Sequence, residues 1–145
     1  SSGVRAALAG GEMEHAARLL GRPYIIDGQV AHGEKIGRQL GFATANIRIK
    51  HDNPPLLGVF AVEVHGLKDG PHAGVANLGV RPSVNRVARP LLEVHLLDFH
   101  ADIYGTHLNV RFLHKLRNEE RFPNLETLKA QIARDVDSAK HYFKL

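Results

Sequence analysis

The spacing of apolar residues changes twice along this chain, and each change marks a change of element. From Val4 to Leu20 the period is helical: Val4 to Ala9 runs into Gly10-Gly11, and Glu12 to Leu20 places Met13, Ala16, Ala17 and Leu20 on one stripe. Gly21 and Pro23 end this stretch, glycine by permitting a left-handed cap and proline by refusing to continue a helix. Two helices this short do not stand alone, so they read as a linker or the tail of something larger. Ser1-Ser2-Gly3 reads as a non-native leader and is set apart from the fold.

From Tyr24 the period shortens to two. Tyr24 to Val30 predicts a strand with a turn at Gly33, and Asn46 to Lys50 alternates until Asn53-Pro54-Pro55 breaks it. Gly58 to His65 is a strongly apolar strand, Gly66 to Gly70 a hairpin loop, and His72 to Leu78 its return. Gly79 to Pro90, with prolines at 82 and 90, predicts a loop or flap. Leu91 to Phe99 and Leu108 to Leu113 complete five or six short strands, the mark of an antiparallel sandwich or barrel. The period then returns to 3.6. Leu125, Leu128, Ile132, Val136, Ala139 and Phe143 define one stripe of a closing helix, with Asn124 as its N-cap after Pro123.

A length of 145 residues suits one domain with a proper core. No cysteine is present, so the fold rests on packing and the chain reads as intracellular, with a cytoplasmic location expected. No apolar run is long enough to span a membrane. The net charge of +4 suits a polyanionic ligand such as a nucleotide without demanding nucleic acid, because the basic residues are scattered. The histidines show neither helical pairing nor cysteine partners, so they read as surface or packing residues rather than metal ligands.

Two stretches carry candidate chemistry. Gly37 to Ile47 holds two glycines four apart, which let backbone approach a ligand, and then Thr44 and Asn46, two small oxygen-bearing side chains on one face of an extended segment. That set suits a phosphate and a metal, although turn chemistry alone also allows an ordinary loop. Glu93 lies among leucines in Leu91 to Leu97; it is either a solvated-face residue or, if its face looks into a substrate pocket, a general base. The Walker phosphate loop, the dinucleotide glycine fingerprint, a cysteine nucleophile and the serine elbow are all missing. Phe112 to Arg117 reads as a strand end followed by a loop rather than a nucleic-acid strip.

Gly37-Arg38-Gln39-Leu40-Gly41-Phe42-Ala43-Thr44-Ala45-Asn46-Ile47 resembles the Gly-Arg-x-Leu-Gly-Phe-Pro-Thr-Ala-Asn-Ile motif of riboflavin kinases. Gly74 to Ser83, Leu92 to Phe99, Tyr104-Gly105 and Phe112 to Arg117 resemble further blocks of that family in the same order. The resemblance covers about Leu20 to Phe143. Ala16 to Tyr24 is similar to the junction in bacterial bifunctional FAD synthetases, where an adenylyltransferase precedes the kinase. No His-x-Gly-His motif of that other half occurs here, so residues 1–21 are expected to be a helical linker and 22–145 a riboflavin kinase domain, covalently joined in the full-length protein to an FMN adenylyltransferase.

The resemblance implies an all-β fold, a six-stranded antiparallel Greek-key barrel with a C-terminal helix. It implies transfer of the ATP γ-phosphoryl group to the ribityl 5'-hydroxyl of riboflavin, giving FMN and ADP, with Glu93 as general base. Thr44 and Asn46 are then the Mg²⁺ ligands, Gly33, Arg38 and Gly41 line the ATP phosphates with them, and Asn77 and Arg117 lie on the flavin side. Neutral donors hold free Mg²⁺ poorly, so the metal is expected to arrive as MgATP. The expected partners are ATP/ADP and riboflavin/FMN, with no nucleic acid and no membrane. The chain departs from the motif at Ala43, where the family has proline, and the loop loses the restriction that proline would bring. The competing expectations are a non-catalytic flavin- or nucleotide-binding β-barrel, and an oligonucleotide-binding barrel, against which the missing stacked aromatics argue.

Overall fold

Residues of one parity on each strand face inward and meet. Ile26 and Val30, Ala45 and Ile47, Phe60, Val62 and Val64, Ala76 and Leu78, Leu92, Val94 and Leu96, and Leu108, Val110 and Phe112 form one buried cluster. A strand presents alternate residues to one face, so this set requires a sheet curled until its apolar side closes on itself. The computed structural model, which describes residues 2–31, 44–49, 54–82, 88–99 and 103–145, has that architecture. Its elements are α1 (Ser2–Ala9), α2 (Met13–Leu20), β1 (Tyr24–Ala31), β2 (Ala45–Ile47), β3 (Gly58–His65), β4 (His72–Pro82), β5 (Ala88–Leu96), β6 (His107–Arg117) and α3 (Leu125–Phe143).

The six strands form a closed barrel in the order β1-β2-β5-β4-β3-β6, every pairing antiparallel. β3, β4 and β5 are consecutive neighbours and β6 returns beside β3, which is a Greek key. Closure leaves no free edge. Phe60 and Phe112 meet edge-on at the centre, with ring centroids 5.2 Å apart.

Several strands run further than apolar alternation indicates. Residues 79–82 and 88–90, expected in a loop, extend β4 and β5 through the pairs Gly79↔Leu91, Val80↔Pro90, Arg81↔Arg89 and Pro82↔Ala88. The rest of the expected flap, residues 83–87, lies outside the described residues. Likewise β6 continues to Arg117 instead of ending at Leu113. In both cases the partner strand satisfies backbone groups whatever the side chains are, so pairing outlasts the hydrophobic signal.

The two N-terminal helices pack into the barrel's cluster through Ala7, Leu8, Met13 and Ala16. Helix α1 begins at Ser2, so it takes in residues set apart on sequence grounds. Gly21 caps α2 in the left-handed region at φ 78°. Glu14 of α2 reaches His114 of β6 (Oε1 to Nδ1, 2.7 Å), and His114 stacks on Tyr142 of α3 at 5.0 Å. Burial alone would raise the Glu14 carboxyl, but the hydrogen bonds from His114 and the backbone, with the charges of His114 and Arg18, outweigh it and leave it below its ordinary value. Burial and then the Glu14 charge push Tyr142 upward.

A depressed carboxyl contributes stability that is complete above its unfolded pKa and is lost as pH falls through the folded value. Half the Glu14 side chain is exposed, so solvent screening holds the contribution to about 1 kcal/mol or less. Thermal melts of the wild-type chain and Glu14→Gln are expected to differ by no more than about 3 °C at neutral pH. The two should converge as pH drops below the usual carboxylate range; a gap that stays constant would remove Glu14 as the titrating group.

Helix α3 starts at Asn124, whose Oδ1 accepts from the Thr127 backbone N–H at 2.9 Å, as expected of an N-cap. It covers the outer side of β3, β4 and β6, where Val59, Val75, Leu97 and Ala139 form a second buried cluster flanked by Val136 and Phe143. Leu125, assigned to the apolar stripe, is instead exposed. The stripe gains an unexpected member in Asp135, a carboxylate only 5 % exposed.

Candidate active site

The outward parity of the same strands carries the candidate chemistry. The registers Ala31↔Asn46, Asn46↔Glu93, Glu93↔Asn77, Asn77↔Val59 and Val59↔Arg117 form one continuous row across β1, β2, β5, β4, β3 and β6. Directly paired residues share a face, with side chains of adjacent strands about 5 Å apart. Their neighbours Ile47, Leu92 and Leu78 fill the interior, so the row faces outward. Asn46, Glu93 and Asn77, separated by up to 47 residues in sequence, thus stand side by side. All three are half-buried.

Glu93 takes the central position of this trio, on β5, with Asn46 on one flank and Asn77 on the other. Thr44 directly precedes β2 and is half-buried, in step with Asn46. Among the described residues, the buried side-chain polar atoms with no hydrogen-bond partner are His72 Nε2 and Asn77 Oδ1. Only Asn77 lies on the row. An acceptor buried without a donor costs roughly 1–3 kcal/mol, so it is a feature to expect where a ligand donates. Gly33, Arg38, Gly41 and Ala43 lie outside the described residues.

At the other end of the row, Arg117 is committed to a partner that sequence reading missed. Its Nε and Nη2 donate to Asp135 Oδ1 and Oδ2 at 2.8 and 2.9 Å, and its Nη1 donates to the Asn118 carbonyl at 3.0 Å. Gln131 Nε2 also donates to Asp135 Oδ1 at 3.0 Å, and the guanidinium lies 5.6 Å from the centre of the Phe122 ring. This fork-to-fork geometry ties the end of β6 to the middle of α3. Among the described residues, these bonds use one N–H of each terminal nitrogen of Arg117. The signal available in sequence was an aspartate on the apolar side of a helix, between Ile132 and Val136.

A second missed residue is Glu119. Its carboxylate rests on the Cα of Gly79, so that a side-chain carbon added there would overlap it. Gly79 follows Asn77 by two residues on β4 and pairs with Leu91, two residues before Glu93 on β5. Glu119 therefore sits on the same outer face, one step further along the strands.

The shelf is thus made of oxygen and amide groups on β2, β5 and β4, bounded on one side by α3. Among the described residues, no three His, Asp or Glu side chains gather to hold a metal ion by themselves. On the β2 side of the row the donors are the neutral oxygens of Thr44 and Asn46 beside the Glu93 carboxylate, a set suited to a hard cation that brings its own anionic ligands. No helix among the described residues is long and apolar enough to cross a membrane.

Known proteins share this sequence and architecture. The Flavokinase (riboflavin kinase) family profile matches residues 20–143. The bifunctional riboflavin kinase/FMN adenylyltransferase of Escherichia coli K12 is 50 % identical over 145 residues, which is all of this chain and 46 % of that protein. This chain therefore spans about half the length of the curated relatives it matches. Among solved structures, a Streptococcus pneumoniae protein described as a macrolide-efflux protein superposes with a TM-score of 0.86 at 29 % identity, over 97 % of this chain and 46 % of that one. The riboflavin kinase of Trypanosoma brucei superposes with a TM-score of 0.58 at 26 % identity, over 84 % of this chain and 80 % of its own. With a family match across nearly its whole length and a barrel shared with a solved riboflavin kinase, the chain belongs to the riboflavin kinase family.

Proposed function

We propose that the chain phosphorylates riboflavin at the ribityl 5'-hydroxyl, using ATP, with Glu93 as general base. The observation that carries this reading is the Asn46–Glu93–Asn77 row, which sets a carboxylate between two groups of different use. On the β2 side, Asn46 and Thr44 offer neutral oxygens to Mg²⁺, and Gly33, Arg38 and Gly41 are proposed to line the ATP phosphates. On the β4 side, the Oδ1 of Asn77, unpartnered among the described residues, and the Arg117 guanidinium serve the flavin.

Glu93 accepts the proton of the 5'-hydroxyl as its oxygen forms a bond to the γ-phosphorus. The bond from that phosphorus to the β–γ bridging oxygen breaks, and ADP leaves. Thr44 and Asn46 would hold the Mg²⁺ of MgATP, which when bound would supply charge neutralisation for the transferring phosphoryl group. The chain itself supplies alignment. With donor and acceptor on opposite flanks of β5, the hydroxyl approaches from the side away from the leaving group, as in-line transfer requires. In the cytoplasmic protein the product FMN would pass to a covalently joined adenylyltransferase.

Incubating the chain with riboflavin and MgATP and separating the flavins tests the reading. FMN and ADP in equal amounts are expected. Riboflavin bound but unchanged would instead favour a non-catalytic flavin-binding barrel.

A further inference from the structure

We infer that Glu119 binds the hydroxyls of the ribityl chain and so selects a polyhydroxylated acceptor; this rests on the riboflavin kinase reading above. Three observations lead to it. The first is place: the Glu119 carboxylate lies on Gly79, on the outer face that carries Asn77 and Glu93. Only a residue without a side chain lets it come down to the sheet, and β4 has glycine there. The second is charge. An ionised carboxylate only accepts hydrogen bonds and repels phosphate, so it belongs on the acceptor side of Glu93, the side of β4, away from Thr44 and Asn46. A ribityl chain presents hydroxyl donors and no negative charge.

The third is distance. Gly79 and Leu91 stand one same-face step from Asn77 and Glu93, about 7 Å along the strands. With the 5'-hydroxyl at Glu93, a five-carbon chain spans roughly 5 Å, taking bonds of about 1.5 Å. The middle hydroxyls therefore fall between the two carboxylates, within reach of Glu119, and the ring system begins beyond. Asn77 Oδ1, buried and without a donor among the described residues, lies in the same interval and accepts from the same chain. Glu93 takes the proton of the terminal hydroxyl, while Glu119 holds the chain so that this hydroxyl, and no other, meets the phosphorus.

The test compares riboflavin with lumiflavin, which keeps the ring system and lacks the ribityl chain. Flavin fluorescence titrations of the wild-type chain, Glu119→Gln and Glu119→Ala in the presence of MgADP give dissociation constants for both. Charge-assisted hydrogen bonds are the strong ones, so riboflavin affinity is expected to fall roughly tenfold or more in both variants, with lumiflavin affinity changed less than about twofold. Gly79→Ala, which displaces the carboxylate without removing it, is expected to show the same riboflavin-specific loss. In turnover, the KM for riboflavin should rise while the KM for MgATP stays within about twofold. Equal losses for the two flavins, an unchanged riboflavin affinity, or a matching rise in the KM for MgATP would each overturn the assignment. A wild-type chain that neither binds riboflavin nor forms FMN would instead overturn the underlying function.

Discussion

Replacing Glu93 with glutamine is expected to cut FMN formation by roughly a thousandfold while leaving riboflavin and MgATP binding within about threefold of wild type. Glutamine has the same shape and still fills the place between Asn46 and Asn77 in the row across β2, β5 and β4. What it loses is the capacity to accept a proton while the oxygen attacks. General-base contributions of this kind are usually worth 10²–10⁴-fold, because positioning and electrostatic stabilisation by the remaining groups persist. Single-turnover measurement at saturating substrates separates the chemical step from product release. Near-normal turnover by the variant would take Glu93 out of the mechanism; loss of both binding affinities would make it structural.

The largest stability effect is expected at Arg117. Truncation to alanine leaves the Asp135 carboxylate, 5 % exposed, with Gln131 as its remaining hydrogen-bond donor among the described residues. Breaking a buried ion pair by removing one partner costs about 3–5 kcal/mol, since the surviving charge keeps its desolvation penalty. The Arg117 side chain is 15 % exposed, which places the expected loss near the lower end, about 3 kcal/mol, or roughly 10 °C in melting temperature. Arg117→Met combined with Asp135→Leu should recover most of that loss, because it removes both charges. Urea unfolding of the single and double variants checks this, and a double variant no more stable than Arg117→Ala would show that packing of the arginine stem, not the ion pair, holds β6 to α3.

The same pair links stability to the proposed chemistry. Arg117 ends β6, and the chain then runs through Asn118 to Glu119 on Gly79. Asp135, anchored in α3, therefore sets where the segment beyond β6 leaves the barrel. An Arg117→Ala chain is expected to lose riboflavin affinity as well as stability, whereas the double variant, which restores stability alone, should leave that affinity low.

Much of the fold was legible because local chemistry and tertiary structure agree. The 3.6-residue stripe and Asn124 announced α3, the glycines at 66 and 70 announced the β3–β4 hairpin, and the alternation from Tyr24 announced β1. The extensions of β4, β5 and β6 were illegible, because backbone pairing there does not require apolar side chains. Leu125 was assigned to the buried stripe on spacing alone, and spacing does not reveal that the stripe begins one turn later.

For the candidate site, sequence by itself determined the residue types and the faces: a period of two puts Thr44 with Asn46 and separates Glu93 from Leu92 and Val94, and the resemblance attached roles to them. Only the tertiary structure decided which of these residues are neighbours. Which residue stands opposite which depends on strand register and barrel closure, and those are set by the whole inward-facing set packing at once. That packing brings Asn46, Glu93 and Asn77 into one row, pairs Arg117 with an aspartate that periodicity had passed over, and lays Glu119 on Gly79, where no side chain stands in its way.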